Sequence, residues 1–276
     1  MWNGKRVSVV LMTYAERDSI RSVIEDFFDT GLVDEVLVVD NNAQDGTAEE
    51  VSRTKARLVH EPKQGYGHAT RRGLMEASGE LVVLAEPDGT FLAKDIFKLL
   101  VYSDECDVVF GTRTTRELIW AGANMAPFLR WGNWAVAKMI EALYNTSHLS
   151  DVGCTYKLLR SDTAKRIAET MTVGGSHAGV EIMLLTILSG ARFVEVPVNY
   201  LPRVGRSSVT GNPAKAVGVG LQMIGLVLQL RRTAPRRFQR PAAFVAQAPE
   251  EPSRPQQPDD SRALQKATPD GERSGA

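Results

Sequence analysis

Residues 38–47 read Val-Val-Asp-Asn-Asn-Ala-Gln-Asp-Gly-Thr, a stretch in which an apolar strand ends at Asp40 and a helix begins near Thr47. Four of the six residues between the strand and the helix are Asn, Asp or Gly, which favour turns. A carboxylate at the end of a strand can accept a hydrogen bond from a base or a ribose hydroxyl. Asp40 is therefore a candidate nucleoside ligand. The alternative is that Asp40 and Asp45 only cap the turn and the helix.

The same strand–loop–helix pattern recurs along the chain on both sides of this stretch. Short Val-rich runs predict buried strands, and runs with helical spacing lie between them. The predicted strands are 7–11, 35–39, 81–84, 107–110 and 193–198, and the predicted helices are 18–28, 47–53, 68–77 and 93–102. This alternation is typical of α/β proteins with a mostly parallel central sheet flanked by helices. Ligands bind such sheets beyond the carboxyl ends of the strands.

The composition argues against several classes of protein. Lys plus Arg equals Asp plus Glu, at 33 each, so no overall charge indicates a nucleic-acid partner. The two cysteines, Cys106 and Cys154, provide neither a disulfide framework nor metal-ligand spacing, which suits a reducing cytosol. The first residues lack the apolar segment of a secretory signal, so we expect a cytoplasmic protein.

The composition changes near residue 234 and predicts three segments. The last 43 residues hold seven of the thirteen prolines and few large apolar side chains, a mixture that buries too little surface to fold. We predict a catalytic domain over 1–211, an apolar interfacial or docking helix over 212–232, and a disordered Pro-rich tail over 233–276.

Glu86-Pro-Asp88-Gly-Thr90 follows the apolar run 81–84 and carries two carboxylates one residue apart. Hard cations such as Mg²⁺ or Mn²⁺ prefer oxygen ligands and often bind a diphosphate at the same time. The segment is therefore a candidate metal site. The alternative is a solvated turn, because Pro-Asp-Gly is itself a turn signal.

Two further segments have the composition of ligand-binding loops. Residues 65–73, Gly-Tyr-Gly-His-Ala-Thr-Arg-Arg-Gly, are not a dinucleotide-binding fingerprint, because Thr70 replaces its third glycine and no acidic residue follows at ribose distance. Gly67 still allows close approach to a nucleotide. Residues 200–208 place Arg203, Arg206 and two serines around a glycine, which suits a phosphate clamp or else an ordinary basic loop.

Taken in order, these segments resemble the family-2 glycosyltransferases. The matching stretches are Val7-Ser-Val-Val-Leu-Met-Thr-Tyr-Ala-Glu16, Val38-Val-Asp-Asn-Asn, Gly65-Tyr-Gly-His-Ala, Ala77-Ser-Gly-Glu80, Glu86-Pro-Asp88, Gly111-Thr-Arg113, Asp151-Val-Gly-Cys-Thr-Tyr-Lys-Leu158, Val194-Glu-Val-Pro-Val198 and Arg203-Val-Gly-Arg-Ser-Ser208. The resemblance covers about residues 5–210 and is strongest to the branch that contains dolichol-phosphate mannosyltransferase. It implies the nucleotide-sugar-binding fold called GT-A.

The resemblance also implies roles for particular residues. Glu86 and Asp88 would meet Mg²⁺ or Mn²⁺, and the catalytic set would be Asp88, Arg113, Asp151 and Glu181. The residues implied at the nucleotide sugar are Thr13, Tyr14, Glu16, Asp40, Asn41, Gly67, Glu86, Arg130, Arg203 and Ser207.

Four positions depart from the family pattern. Met12 and Ala15 replace the usual Pro and Asn beside the nucleoside. Asn41 stands where a second Asp is common, which leaves the base undetermined between GDP- and UDP-linked donors. Glu86 replaces the usual first Asp of the metal motif, so Asp88 is the preferred candidate for binding the metal.

Two apolar segments bear on the acceptor. Phe128, Trp131, Ala135, Met139 and Leu143 fall at helical spacing and form either a core-facing helix or an acceptor-side, membrane-facing surface. Residues 216–230 are too few to span a bilayer, and five arginines follow within 231–240. A helix of this kind lies on an anionic membrane surface or packs against the catalytic domain.

We therefore expect an inverting hexosyltransferase of the cell envelope, peripheral on the inner face of the membrane, whose acceptor is a lipid-linked phosphate such as polyprenyl phosphate. Glu181 is the candidate base if the acceptor is a hydroxyl, and the alternative is an ordinary solvated helix carboxylate. Asp151 would orient the acceptor side. The rival functions are a soluble transferase to a small acceptor such as phosphoglycerate and a non-catalytic nucleotide-binding module.

Overall fold

A seven-stranded sheet forms the centre of the computed structural model, which describes residues 1–205 and 213–233. The strands run in the order β3-β2-β1-β4-β6-β5-β7 across the sheet. They are β1 (Val7–Thr13), β2 (Glu35–Asp40), β3 (Arg57–His60), β4 (Leu81–Ala85), β5 (Val108–Thr112), β6 (Lys157–Arg160) and β7 (Phe193–Pro197).

Eight α-helices and two short 3₁₀ turns, Ala93–Asp95 and Arg116–Leu118, complete the described part of the chain. The helices are α1 (Arg17–Asp29), α2 (Thr47–Ser52), α3 (Tyr66–Glu76), α4 (Ile96–Val101), α5 (Pro127–Tyr144), α6 (Ser161–Thr170), α7 (Ala178–Leu188) and α8 (Pro213–Thr233).

The pairing of the strands gathers several loops at one edge of the sheet. β1 pairs in parallel with β2 and β4, and β5 pairs in parallel with β7. β6 is antiparallel to both β4 and β5, so the residues just before β6 lie at the edge where its neighbours end. The loops after β1, β2, β4 and β5 and the loop before β6 therefore meet there.

Each face of the sheet carries its own apolar core. Along β1, Val10 and Met12 belong to one core, whereas Val7, Val9 and Leu11 belong to the other. Helices α3, α5, α6, α7 and α8 cover the first face, and α1 and α4 cover the second. Because the central strands are buried on both sides, they are read in the sequence as continuous apolar runs and not as alternating patterns.

The predicted α/β fold with its mostly parallel sheet is confirmed, and so are the five predicted strands. β3 and β6 were not predicted. β3 is a short, largely exposed edge strand, and in β6 Lys157 and Arg160 flank only two leucines. Neither segment has the length or the apolar content on which the strand prediction depends. The predicted helix over 93–102 divides into the 3₁₀ turn Ala93–Asp95 and α4.

The predicted apolar helix near the C-terminus is α8, which begins at Pro213 and ends at Thr233. Among residues 1–205 and 213–233, no helix combines the length and the apolarity needed to cross a membrane. The boundaries proposed at 211 and 232 stay predictions. The tail predicted over 233–276 lies outside the described residues except for Thr233.

Candidate active site

Two carboxylates, Glu86 and Asp88, lie in the loop directly after β4. Asp88 is fully buried, and its Oδ1 accepts hydrogen bonds from the backbone N–H of Thr90 at 3.0 Å and from the Thr90 hydroxyl at 2.6 Å. The Glu86 side chain is 28% exposed. Removal from water raises the pKa of Glu86 to about 8, and the negative charge of Asp88 adds to this effect. The two carboxyl groups thus disfavour ionisation of both at once, and a cation bound beside them would favour the ionised form of both.

Arg203, which is more than 100 positions further along the chain, lies beside this acid pair. Its Nη1 lies 2.8 Å from Oδ2 of Asp88 and 3.6 Å from Oε2 of Glu86, and its Nη2 donates to Oε1 of Glu16 at 2.7 Å. Burial alone would lower the pKa of Arg203, but the three carboxylates outweigh it and raise that pKa. A permanently charged guanidinium therefore sits between Glu16, Glu86 and Asp88.

Backbone hydrogen bonds fasten the segment around Arg203 to the acid loop. The N–H of Leu201 donates to the carbonyl of Thr90, and the N–H of Val204 donates to the carbonyl of Asp88, both at 2.9 Å. The position of Arg203 is consequently set by main-chain contacts as well as by charge.

The acid pair has the donor set of a site for Mg²⁺ or Mn²⁺. Oδ2 of Asp88 is buried and accepts no hydrogen bond of good geometry from the described residues, although Nη1 of Arg203 lies beside it. Within residues 1–205 and 213–233, no group of three or more His, Cys, Asp or Glu residues is suited to a metal. Glu86 and Asp88 would therefore need further oxygen ligands from a bound diphosphate or from water.

Arg113 and Asp151 form a buried, two-pronged ion pair at the same edge of the sheet. Nε of Arg113 donates to Oδ2 of Asp151 at 2.8 Å, and Nη2 donates to Oδ1 at 3.0 Å. The backbone N–H groups of Arg113 and Gly153 also donate to this carboxylate. Burial alone would raise the pKa of Asp151, but the charge and hydrogen bonds of Arg113 lower it overall. The Arg113 guanidinium also stacks over the ring of Tyr200, with Cζ 5.0 Å from the ring centroid.

Glu195 supports this pair and was not among the predicted site residues. Its Oε1 accepts from the backbone N–H of Asp151 at 3.0 Å, and its Oε2 accepts from the Ser150 hydroxyl at 2.6 Å. Burial raises the pKa of Glu195 more than these hydrogen bonds lower it. A lone carboxylate inside the apolar run 193–198 is the signal that could have identified it.

The loops after β1 and β2 lie side by side, as the nucleoside prediction requires. Oε2 of Glu16 accepts from the backbone N–H groups of Tyr14 and Ala15, both at 2.8 Å. Oδ1 of Asp40 accepts from the backbone N–H of Ala43 at 2.7 Å. The turn-capping role of Asp40 is thus present. Its Oδ2 lies 3.8 Å from Nδ1 of His60, and Asp40 is not among the residues that line the cavity described below.

Asn41 ties two loops together through both ends of its amide. Its Nδ2 donates to the carbonyls of Glu61 and Lys63, at 2.9 and 2.8 Å. Its Oδ1 accepts from the backbone N–H of Gly65 at 2.7 Å. An aspartate, which has no N–H to donate, could not make the first two bonds. The departure from the family pattern at position 41 is therefore matched by its local partners.

Gly67 lies at a close contact between protein segments. A Cβ atom at this position would lie 2.0 Å from the carbonyl oxygen of Val173 and 2.9 Å from Cβ of Ala178. The N–H of Gly67 donates to the carbonyl of Gly174 at 2.9 Å. This contact seats the beginning of α3 on the segment before α7. Gly65 and Tyr66, the two residues before Gly67, line the cavity described below.

Glu181 is buried on α7, and both of its oxygens are engaged. Oε1 accepts from the backbone N–H of Thr172 at 2.9 Å and from the Thr172 hydroxyl at 2.8 Å, and Oε2 accepts from the N–H of Val173 at 2.9 Å. Glu181 therefore fastens the segment that packs on Gly67. It is not among the residues that line the cavity. Its role as a base stays a prediction.

Two predicted site residues remain, Arg130 and Ser207. Arg130 is half-buried in the first turn of α5. Ser207 lies outside the described residues.

A cavity of about 760 Å³ is lined by half of the predicted site residues, but not by Asp40, Asp88 or Asp151. One end is polar and is formed by Thr13, Tyr14, Glu16, Asn41, Gln64, Glu86, Arg113 and Arg203. The other end is apolar and is formed mainly by the first halves of α5 and α8. A ligand bound here would meet carboxylates and arginines at one end and hydrocarbon at the other.

Comparisons with known proteins agree with this geometry. The model of the family described as "Glycosyl transferase family 2" matches residues 8–167. A dolichyl-phosphate hexose transferase of Haloferax volcanii is 29% identical over 231 residues, which are 82% of this chain and 95% of the relative. An undecaprenyl-phosphate mannosyltransferase of Micrococcus luteus is 26% identical over 244 residues, which are 80% of this chain and 94% of the relative.

A solved structure shares the fold at lower sequence identity. Glucosyl-3-phosphoglycerate synthase of Mycobacterium tuberculosis, in complex with Mn²⁺, UDP and phosphoglyceric acid, superposes with a TM-score of 0.64 and 20% identity. The match covers 84% of this chain and 80% of that structure. The predicted GT-A fold is therefore confirmed.

Proposed function

The chain belongs to glycosyl transferase family 2, in its dolichyl-phosphate mannosyltransferase-like branch, and we propose that it transfers a hexose from a nucleotide sugar to a lipid-linked phosphate. The observation that carries this proposal is the single cavity with a charged end and an apolar end. A nucleotide sugar and an acceptor phosphate need the charged end, and only a lipid-linked acceptor makes use of the apolar end. Two relatives are named for transfer to lipid phosphates.

The nucleoside would lie against Thr13, Tyr14, Asp40 and Asn41, where the loops after β1 and β2 meet. Tyr14 is 52% exposed and lines the cavity, so its ring is available for stacking on a base. The diphosphate would then extend toward Glu86, Asp88 and Arg203. Both GDP- and UDP-linked donors suit this arrangement.

Glu86 and Asp88 would hold Mg²⁺ or Mn²⁺ on the diphosphate, with Asp88 as the principal ligand. The bound ion would neutralise charge that develops on the departing diphosphate. In the structure Arg203 balances the charge of Asp88, since its Nη1 lies 2.8 Å from Oδ2 of that residue. We propose that Arg203 turns from the carboxylates to the diphosphate when the donor binds, because guanidinium groups bind phosphate with well-defined geometry.

In the proposed reaction, an oxygen of the acceptor phosphate attacks the anomeric carbon as the bond from that carbon to the diphosphate breaks. In-line attack inverts the configuration at this carbon. The acceptor phosphate is already ionised at neutral pH, so it needs no strong base. The full engagement of Glu181 by Thr172 and Val173 is compatible with such an acceptor. Positioning and charge neutralisation then supply most of the rate.

The acceptor would be presented at the inner face of the membrane. Phe128, Trp131 and Trp134 of α5 are 63%, 62% and 41% exposed, which supports the membrane-facing reading of this helix. Arg231 and Arg232 end α8, and three further arginines follow outside the described residues. Such a basic flank would attract anionic lipid, and the attraction should weaken as salt is added.

The experiment that tests the proposal is sugar transfer from radiolabelled UDP-glucose and GDP-mannose, each with Mn²⁺, to undecaprenyl phosphate and, separately, to 3-phosphoglycerate. We expect label in the lipid product and none in the phosphoglycerate product. EDTA should abolish the transfer. Label only in phosphoglycerate would replace the proposed acceptor with a small soluble one, the alternative suggested by the similarity to glucosyl-3-phosphoglycerate synthase.

A further inference from the structure

We infer that Asn133, in the N-terminal half of α5, binds the acceptor phosphate beside Arg113 and helps to turn its attacking oxygen toward the donor. This inference rests on the proposed function and adds to it a residue that the sequence did not single out. In the described part of the chain, six residues of α5 line the cavity, and Asn133 alone among these six has a polar side chain.

Asn133 and Arg113 meet at Gly153, in the loop before β6. A Cβ atom at Gly153 would lie 2.8 Å from Oδ1 and 2.9 Å from Nδ2 of Asn133, and 2.9 Å from Nη2 of Arg113. Three atoms that can form hydrogen bonds are thus gathered around one point, where only glycine leaves room for them. The N–H of Gly153 donates to Oδ1 of Asp151 at 2.9 Å, which fixes this loop. Because Arg113, Asn133 and Gly153 all line the cavity, a single ligand can reach the amide and the guanidinium group together.

The amide of Asn133 has hydrogen-bonding capacity to spare. Within residues 1–205 and 213–233, no group forms a hydrogen bond with this half-buried side chain. An amide offers two donors and an acceptor oxygen, and polar groups inside a protein are normally paired. Arg113 also has donors to spare, because Asp151 takes only two of the five N–H groups of its guanidinium. A ligand in the cavity would supply the partners that both side chains lack.

A phosphate group has the chemistry that matches this pair of side chains. Arg113 contributes a permanent positive charge, and Nδ2 of Asn133 contributes a neutral donor. The terminal oxygens of a phosphate accept from both. An aspartate at position 133 would have nearly the same shape but would repel the phosphate, so the neutrality of this side chain matters as much as its size.

The acceptor phosphate suits this position better than the donor diphosphate does. The proposed diphosphate site lies at Glu86, Asp88 and Arg203, in the loop after β4 and the segment after β7. Arg113 lies in the loop after β5, and Asn133 comes from α5, the helix whose exposed aromatic side chains are proposed to meet the membrane. An acceptor that approaches from the membrane would therefore bring its phosphate to Asn133.

Two contacts would orient the acceptor phosphate for attack. A phosphate monoester has three terminal oxygens. With one oxygen on Arg113 and a second on Nδ2 of Asn133, the third is left to attack the anomeric carbon. A phosphate held by Arg113 alone could turn about that contact. Loss of the Asn133 amide should therefore slow the transfer as well as weaken the binding of the acceptor.

The experiment compares the full-length wild type with Asn133→Leu, Asn133→Asp and Gln222→Glu in detergent micelles. Asn133→Leu keeps a side chain of similar size and removes its hydrogen bonds, whereas Asn133→Asp keeps the shape and adds a negative charge. Gln222 supplies the matched control, since it is exposed on α8 and is not among the residues that line the cavity. Gln222→Glu repeats the change from amide to carboxylate outside the site.

Transfer to undecaprenyl phosphate is measured with Mn²⁺ and whichever donor supports it, and the Kd of the matching nucleoside diphosphate is measured in parallel. Asn133→Leu should lower kcat/KM for the acceptor about tenfold to a hundredfold, the range expected for one hydrogen bond to a charged group. Asn133→Asp should lower it further, because its carboxylate repels the phosphate. The Kd of the nucleoside diphosphate and the melting temperature should stay as in the wild type, and so should all properties of Gln222→Glu.

The outcomes separate this inference from the proposed function. If the wild type transfers sugar to undecaprenyl phosphate and both Asn133 variants keep its kcat/KM, Asn133 is not an acceptor ligand and the proposed function stands. If the variants weaken the nucleoside diphosphate as much as the acceptor, or lose activity equally and melt well below the wild type, Asn133 acts at the donor or in folding and the inference is overturned. If the wild type does not use undecaprenyl phosphate, the proposed function fails and the inference fails with it.

Discussion

Replacing Arg113 with methionine should destabilise the protein more than the loss of any exposed ion pair would. Methionine keeps most of the volume of arginine but removes the two side-chain hydrogen bonds to Asp151, of 2.8 and 3.0 Å. Asp151 is 1% exposed and would keep only the backbone N–H donors of Arg113 and Gly153. An unpaired charge would thus be left inside the protein, away from water.

The magnitude follows from this burial. Removing one partner of a buried ion pair costs about 3–5 kcal/mol. For a folded unit of roughly this size each kcal/mol lowers the melting temperature by about 2–4 °C. Arg113→Met should therefore melt about 6–20 °C below the wild type. Arg113→Lys, which keeps the charge but not the fork, should fall between the two.

A double-mutant cycle with Asp151→Leu isolates the pair. Removing both charges leaves no unpaired charge behind, so the double variant should be more stable than Arg113→Met alone. The cycle is measured by urea unfolding of the nucleotide-free protein. A melting temperature for Arg113→Met within about 2 °C of the wild type, or a coupling energy near zero, would refute the reasoning.

The pH dependence of the pair has a definite sign. Arg113 lowers the pKa of Asp151 below its ordinary value of 3.8. A carboxyl group with a lowered folded pKa contributes its full stability above the unfolded pKa and loses it as the pH falls through the folded one. In Arg113→Met, burial without the guanidinium group raises the pKa of Asp151 instead. The stability difference between the wild type and Arg113→Met should therefore be largest at high pH, begin to shrink as the pH falls through the raised pKa of the variant, and go on shrinking until the wild-type carboxyl group is protonated as well.

Three further predictions concern the acid loop, the start of α3 and the base. Asp88→Asn should reduce sugar transfer at least about a hundredfold in the presence of Mn²⁺ while the circular dichroism spectrum is retained; transfer at the wild-type rate would rule out Asp88 as the principal metal ligand. Gly67→Ala should destabilise the protein by about 1–3 kcal/mol in thermal unfolding because its Cβ would lie 2.0 Å from a carbonyl oxygen, whereas Gly132→Ala, which meets nothing within 4 Å, should be neutral or stabilising. Glu181→Gln should weaken nucleotide binding and leave kcat nearly unchanged if Glu181 only fastens Thr172 and Val173; a fall in kcat of about a hundredfold or more with nucleotide binding intact would instead identify Glu181 as the base.

The fold could be predicted because the signals that decide it are local. β1, β2, β4 and β5 are buried on both faces, so each is a continuous apolar run that is visible in a few residues. The antiparallel β6 could not be predicted, because only two leucines lie between Lys157 and Arg160. The Lys157 ammonium group donates to the carbonyl of Cys154 and lies 5.9 Å from the ring of Phe110. Cys154 is only three positions away in the chain, but Phe110 becomes a neighbour of Lys157 only when β5 and β6 have paired.

The sequence predicted which residue types would lie at the candidate site, but not which residues they would contact. Carboxylates after β4 and arginines after β5 and β7 could be identified because strand ends meet at one edge of the sheet. The partner of Glu16 is 187 positions away in the chain, and no local pattern connects it to Arg203. In the same way, the partners of Glu181 lie in the loop before its own helix, whose path depends on the contact with Gly67.

At Arg203 the residue type and the contacts in the structure point to different partners. The sequence places Arg203 in a basic loop suited to phosphate and places Glu86 and Asp88 in an acidic loop suited to a cation. In the structure these opposite charges lie against each other, because an arginine among three carboxylates is attracted to them. A metal ion could replace the positive charge of Arg203 beside Glu86 and Asp88. A diphosphate could at the same time replace the negative charge of these carboxylates beside Arg203. A divalent cation alone would have to compete with Arg203 for Asp88, so the arrangement favours joint binding of the cation and the diphosphate over binding of either one alone.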